Sequence, residues 1–165
     1  MLGKLLVPLA IAAMLIASPV RAALSDGSDG ALSVTGARTL ELPADGRFDF
    51  TTITVDPAAV LTFSGGATLI ELLATGDVFV GGVIDTGNRA LSISAPKITI
   101  EGDIVTGTLA LAAGDPANPG GVFGFGRGAT LTVGGQSIDP TTLPTSGVLQ
   151  IVSTTPIITV GTITL

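Results

Sequence analysis

The chain contains no histidine, cysteine, tryptophan or tyrosine in its 165 residues. Without histidine there is no imidazole acid–base chemistry and no Ser-His-Asp arrangement. Zinc sites built on His or Cys are excluded as well. Without cysteine there is neither a thiol nucleophile nor a disulfide, so backbone ladders and apolar packing must hold the fold alone. The only aromatic residues are six phenylalanines, so the Tyr and Trp platforms that a sugar cleft offers are missing. Charge is also sparse: seven basic residues stand against thirteen acidic ones, for a net charge of −6. That balance argues against a nucleic acid or an anionic lipid surface as partner. No cofactor and no metal are expected.

One long hydrophobic run is present, at the N-terminus. Lys4 precedes the apolar stretch Leu5 to Ile16, and Val20-Arg21-Ala22 places small residues three and one before a cut. Residues 1–22 therefore read as a cleaved secretory signal, too short in its apolar part to span a bilayer. A lipoprotein signal would need a Cys at the cut, and there is none. The expected setting is outside the cytoplasm, whether periplasmic, cell-surface or extracellular. No stable membrane span is expected after cleavage.

What the remainder does have is repetition. Three stretches carry the same order of elements: Leu69 to Asp85, Leu91 to Val105, and Leu149 to Leu165. Each has an apolar strand, a small-residue turn, a second short strand, a glycine corner and a third strand. Self-similarity at about 20 residues marks a β-solenoid. Short strands rich in Val, Ile and Thr suit its walls, and Gly76, Gly81, Gly82, Gly102 and Gly161 suit its corners. Stacking the repeats predicts two inward ladders, Val78–Ile98–Ile158 and Ile84–Ile104–Ile163. No helical periodicity follows the first 25 or so residues. In the N-terminal half, Leu32–Val34, Thr39–Leu42, Phe48–Phe50, Thr52–Val55 and Val60–Phe63 alternate with period two. The turn signals Asp45-Gly46, Asp56-Pro57 and Gly65-Gly66 lie among them.

The expected architecture is an all-β, single-stranded parallel β-helix, right-handed, behind the N-terminal signal. Residues 23–50 form a cap or irregular first rung. Residues 51–165 form the β-helix, with a loop-rich insertion at about 114–147 and a last rung at 148–165. That last rung has no polar loop after it, and an uncapped solenoid end templates association.

Two candidate sites emerge. In the glycine-rich run Gly120 to Gly128, Phe123, Phe125 and Arg127 would form a contact surface for a ligand or partner if the rings are exposed; the alternative is that both rings tuck under the loop. This run lacks the Lys-Ser/Thr ending and the following helix of a phosphate loop. The second candidate is acidic. Aligned rungs bring Asp77 near Lys97, Asp103 and Glu101 flank the next corner, and Asp85 lies close by; β-helix enzymes use such clustered acidic residues as paired catalytic carboxylates or as Ca²⁺ ligands with a basic partner. Solvated corner charges are the plainer reading of the same residues. Ranks of Thr such as Thr130/Thr132 could order water, but Phe79 and Val80 interrupt them.

The runs Ser25-Asp26-Gly27-Ser28-Asp29-Gly30-Ala31-Leu32 and Leu73-Ala74-Thr75-Gly76-Asp77-Val78-Phe79-Val80-Gly81-Gly82-Val83-Ile84 resemble those of exported bacterial β-helix proteins. The rungs are similar to those of filamentous-haemagglutinin-type adhesins. The resemblance implies a fold and an extracytoplasmic setting, and supplies no site residues. The expected function is an exported, non-catalytic structural or adhesive module that self-associates through its C-terminal rung or meets a cell-surface or glycan partner. The alternative is a carbohydrate-active β-helix protein, lyase- or hydrolase-like, using Asp77, Asp85, Lys97 and Asp103.

Overall fold

Alternating β-branched residues favour strands, and glycine or Asp-Gly pairs at each interruption let the chain turn. The computed structural model describes residues 25–114, 121–143, 148–152 and 157–161. The expected signal at 1–22 lies outside them. In chain order the strands are β1 (Gly30–Val34), β2 (Ala37–Glu41), β3 (Arg47–Val55), β4 (Val60–Ser64), β5 (Leu69–Ala74), β6 (Val78–Val80), β7 (Val83–Asp85) and β8 (Ala90–Ala95). They continue as β9 (Lys97–Ile100), β10 (Asp103–Thr106), β11 (Thr108–Ala113), β12 (Val122–Phe125), β13 (Thr130–Val133), β14 (Gln136–Ile138), β15 (Val148–Val152) and β16 (Ile157–Gly161). One 3-10 turn, Pro140–Thr142, is the only helical element among the described residues.

The strands stack in parallel as a β-solenoid of about four turns. Three walls follow from the pairing. The first stacks β1, the second half of β3, β6, β9 and β12. The second stacks β2, β4, β7, β10 and β13. The third stacks the first half of β3, then β5, β8 and β11. β3 thus turns a corner near Thr51 without breaking, where period-two alternation predicted two separate strands.

Inward side chains line up from turn to turn. The first wall carries the columns Leu32–Ile53–Val78–Ile98–Phe123 and Val34–Val55–Val80–Ile100–Phe125. The second carries Leu61–Ile84–Ile104–Leu131, and the third Leu72–Ile93–Leu111–Leu149. Every member is buried except Phe125, which is half-buried and packs on the same core. These columns replace water around β-branched and leucine side chains, at roughly 1.5–3 kcal/mol per fully buried residue. Val78 over Ile98 and Ile84 over Ile104 are the neighbours that the repeat predicts.

The corner after the first wall shows why glycine is required. A Cβ on Gly102 would lie 2.0 Å from the Gly82 carbonyl oxygen, and one on Gly82 would lie 2.3 Å from the Asp56 and Ala59 oxygens. Backbone of the preceding turn occupies the space that a side chain would need. The same closeness permits a corner ladder, in which Val83, Asp103 and Thr130 donate their N–H to Ala59, Gly82 and Gly102.

The C-terminal end differs from the expected last rung. β15 runs antiparallel to β11, and β16 antiparallel to β15. Ile158 therefore pairs with Ile151 and does not stack on Ile98; Ile163 lies outside the described residues. The cause is a reversal upstream. Gly134 and Gly135 both have positive φ, 56° and 78°, as a tight hairpin turn requires. They fold β14 back antiparallel on β13. Within the expected loop-rich insertion, Phe123 and Phe125 continue the apolar columns and draw the described part of the glycine-rich run into β12.

Candidate functional site

The acidic residues are spread over separate corners and faces. Asp77 and Lys97 sit where the third wall turns into the first, just before β6 and at the start of β9. Both are exposed, and no ion pair joins them among the described residues. Glu101 lies one corner further on, exposed, beside Gly126 of the next turn. Asp103 and Asp85 lie on the outer face of the second wall, paired with Val83 and Val105. Each of these two carboxylates already serves the backbone or a neighbour. Asp85 Oδ1 accepts from Gly87 N–H at 2.9 Å, which shapes the turn after β7. Asp103 Oδ1 accepts from the Thr130 hydroxyl one turn away. The whole of the short first wall separates the Asp77/Lys97 corner from Asp103. Among the described residues no group of three acidic side chains could hold a metal ion.

In the glycine-rich run, Phe123 is buried, 3% exposed, beneath Ile98. Of the two readings for its ring, the buried one holds. Phe125 is half-buried, and Arg127 is exposed just past the strand. Val122, which sequence reasoning passed over, is the most exposed large apolar residue described, at 47%. Its alternation with Phe123 could have shown this, since an inward Phe123 sends Val122 outward.

Two polar clusters also escaped the sequence reading. Arg47 and Asp49 share the outer face of β3, where a period-two spacing puts them side by side. Arg47 Nε and Nη2 donate to Asp49 Oδ2 and Oδ1, both at 2.8 Å. The hydrogen bond from Arg47 holds the Asp49 carboxyl below the usual carboxylate range and raises the guanidinium in turn. The Asp29 carboxylate accepts from Asp49 N–H at 2.6 Å.

The second cluster lies at the corner between the second and third walls. Arg89 donates from Nη1 to Phe63 O at 3.4 Å and Thr86 O at 2.9 Å, and from Nη2 to Gly65 O at 3.0 Å. Buried Thr86 and Thr106 both donate their hydroxyls to Arg89 O, at 2.9 and 2.7 Å. Buried polar groups need such partners, and among the described residues no buried side-chain nitrogen or oxygen is left without one. The cluster ties neighbouring turns together and presents no free reactive group.

Among the described residues no helix is long and apolar enough to cross a membrane. No protein-family model matches the chain. No curated protein and no solved structure matches it either.

Proposed function

We propose that the chain is an exported, non-catalytic structural or adhesive β-solenoid, resembling filamentous-haemagglutinin-type modules of bacterial origin, that works by presenting rigid walls to a cell-surface or glycan partner outside the cytoplasm. The observation that carries this reading is how its polar side chains are used. Asp85 shapes a turn, Asp103 holds Thr130 of the next turn, and Arg89, Thr86 and Thr106 bind corner carbonyls. A catalytic pair needs carboxylates that converge on one cleft and are free to bind substrate. Here Asp85 and Asp103 are already engaged, and the first wall stands between them and Asp77. The composition supports export, through the apolar run after Lys4 and the small residues before position 23.

The test has two parts. Expression of the whole chain in a bacterium, followed by mass analysis of the envelope and culture fractions, should find a polypeptide beginning at Ala23. A chain retaining residues 1–22 in the cytoplasm would refute export. The same purified protein should leave acidic polysaccharides uncut while binding cells or glycan-coated beads. Turnover that disappears in Asp103→Ala would instead make the protein a carbohydrate-active enzyme.

A further inference from the structure

The outer face of the first wall uses its side chains differently from the other walls. Alternation sends Thr54 of β3, Phe79 of β6, and Lys97 and Thr99 of β9 outward, because Ile53, Val78 and Ile98 point into the core. All six phenylalanines of the chain lie within the described residues. Five of them belong to the core or pack against it: Phe48, Phe50, Phe63, Phe123 and Phe125. Phe79 is the sixth, and it stands half-buried on the outside.

Its ring is seated on the corner that follows β6. A Cβ on Gly81 would lie 2.9 Å from Cε1 of the ring and 3.1 Å from its Cζ, and 3.1 Å from Cγ of Pro57 on the preceding turn. The ring thus occupies the space that a side chain at Gly81 would take. An aromatic ring laid against bare backbone and still half-exposed is a fixed apolar platform.

Polar groups surround this platform, and they are not used within the protein. Thr54 and Thr99 are the register partners of Phe79 on the turns before and after, about 4.8 Å away along the solenoid axis. Asp77 lies two residues before Phe79, and Lys97 two before Thr99; both are exposed. Among the described residues none of these four side chains makes a hydrogen bond or an ion pair. On the second wall and its corner the hydroxyls are committed: Thr39 to Thr62, Thr130 to Asp103, and Thr86 and Thr106 to Arg89 O.

We infer that this face binds sugar, seating a pyranose unit of a neutral polysaccharide flat on the Phe79 ring. A pyranose offers an apolar C–H face to the ring and a rim of hydroxyls to its surroundings. Phenylalanine has no polar handle of its own, and Thr54 and Thr99 supply the hydrogen bonds that Tyr or Trp would bring with the ring. Asp77 accepts from the outer sugar hydroxyls and Lys97 donates to them. The net charge of −6 disfavours a polyanionic glycan. An acyl chain or apolar peptide would bury the four polar groups without partners, which costs binding. The inference rests on the adhesive reading above and narrows it to one wall and one class of glycan.

The test is affinity electrophoresis of the full purified chain in native gels that contain a soluble neutral glucan, xylan or galactomannan, with polygalacturonate as the charged control. Retardation by at least one neutral polymer, and none by polygalacturonate, is the expected result. Phe79→Ala should weaken binding at least about tenfold, as loss of one half-buried aromatic contact implies, and Phe79→Tyr should retain it. Thr54→Val with Thr99→Val keeps the shape, removes both hydroxyls and should weaken binding about five- to tenfold. Thr132→Val, the same change on the second wall, should leave binding unchanged. Thermal melts identify folded variants, and if Phe79→Ala unfolds, the double Thr variant decides. Three results would overturn the inference: no retardation by any neutral polymer, retardation unchanged in the Phe79 and double Thr variants, or stronger retardation by polygalacturonate. The adhesive reading survives all three if the chain still binds cells, and it fails separately if the chain cleaves the polymer.

Discussion

Replacing Arg89 with alanine should loosen the corner between the second and third walls. The guanidinium holds Phe63 O, Thr86 O and Gly65 O at 3.4, 2.9 and 3.0 Å. A hydrogen bond to a charged group contributes about 1.5–3 kcal/mol when well formed. One of the three is long, and Arg89 is only half-buried, so water recovers part of the loss. The net cost should be about 2–4 kcal/mol. With a urea slope of about 2 kcal/mol/M, that moves the unfolding midpoint down by about 1–2 M at unchanged slope. Arg89→Lys retains the charge but reaches fewer carbonyls, so it should recover less than half of the shift. A midpoint for Arg89→Ala within about 0.25 M of the parent would refute the reasoning, because a cost near 0.5 kcal/mol is what an ordinary surface substitution gives.

Other substitutions separate steric from electrostatic causes. Gly102→Ala, whose Cβ would meet Gly82 O at 2.0 Å, should abolish or severely reduce folding. Gly66→Ala, with nothing within 4 Å, should leave stability unchanged or raise it by up to about 1 kcal/mol; thermal melts of both check this. Thr106→Val keeps the shape but loses the bonds to Arg89 O and Thr108 O, at a cost of about 1–3 kcal/mol in urea unfolding. Asp49 has its folded-state pKa depressed by Arg47. Its contribution is therefore present above the unfolded carboxylate value and lost as pH falls through the folded one. Asp49→Asn should accordingly flatten the acid limb of stability below about pH 4 and leave its shape at pH 7 unchanged, as urea titrations across that range would show.

How much of this was legible from sequence depends on what each signal encodes. The stacking of Val78 on Ile98 and of Ile84 on Ile104 was readable because the intervening corners keep nearly the same length and composition from turn to turn. The placement of Ile158 was not, because alternation of apolar and polar residues is the same in a parallel and an antiparallel strand. The information lay elsewhere, in Gly134-Gly135 between two alternating runs, a hairpin signal that reverses the chain. Rung alignment reads the acidic candidate's neighbours along the solenoid axis, such as Asp85 and Asp103 on adjacent strands of the second wall, but not that the whole first wall lies between Asp103 and the Asp77 corner. The glycine-rich run was read for its glycines, whereas Phe123 and Phe125 decided its conformation by continuing two apolar columns. The Arg47/Asp49 pair needed only the period-two spacing to be noticed.

The central claim is a solenoid whose first wall is hydrogen-bonded from turn to turn, β1 through β12. Residue-resolved amide hydrogen exchange on the free monomer tests it most directly. The account predicts slow exchange at Val55, Val80 and Ile100, which lie inside the first-wall ladder, and fast exchange at Gly66, which lies in an exposed turn. Exchange at Ile100 as fast as that at Gly66 would contradict it.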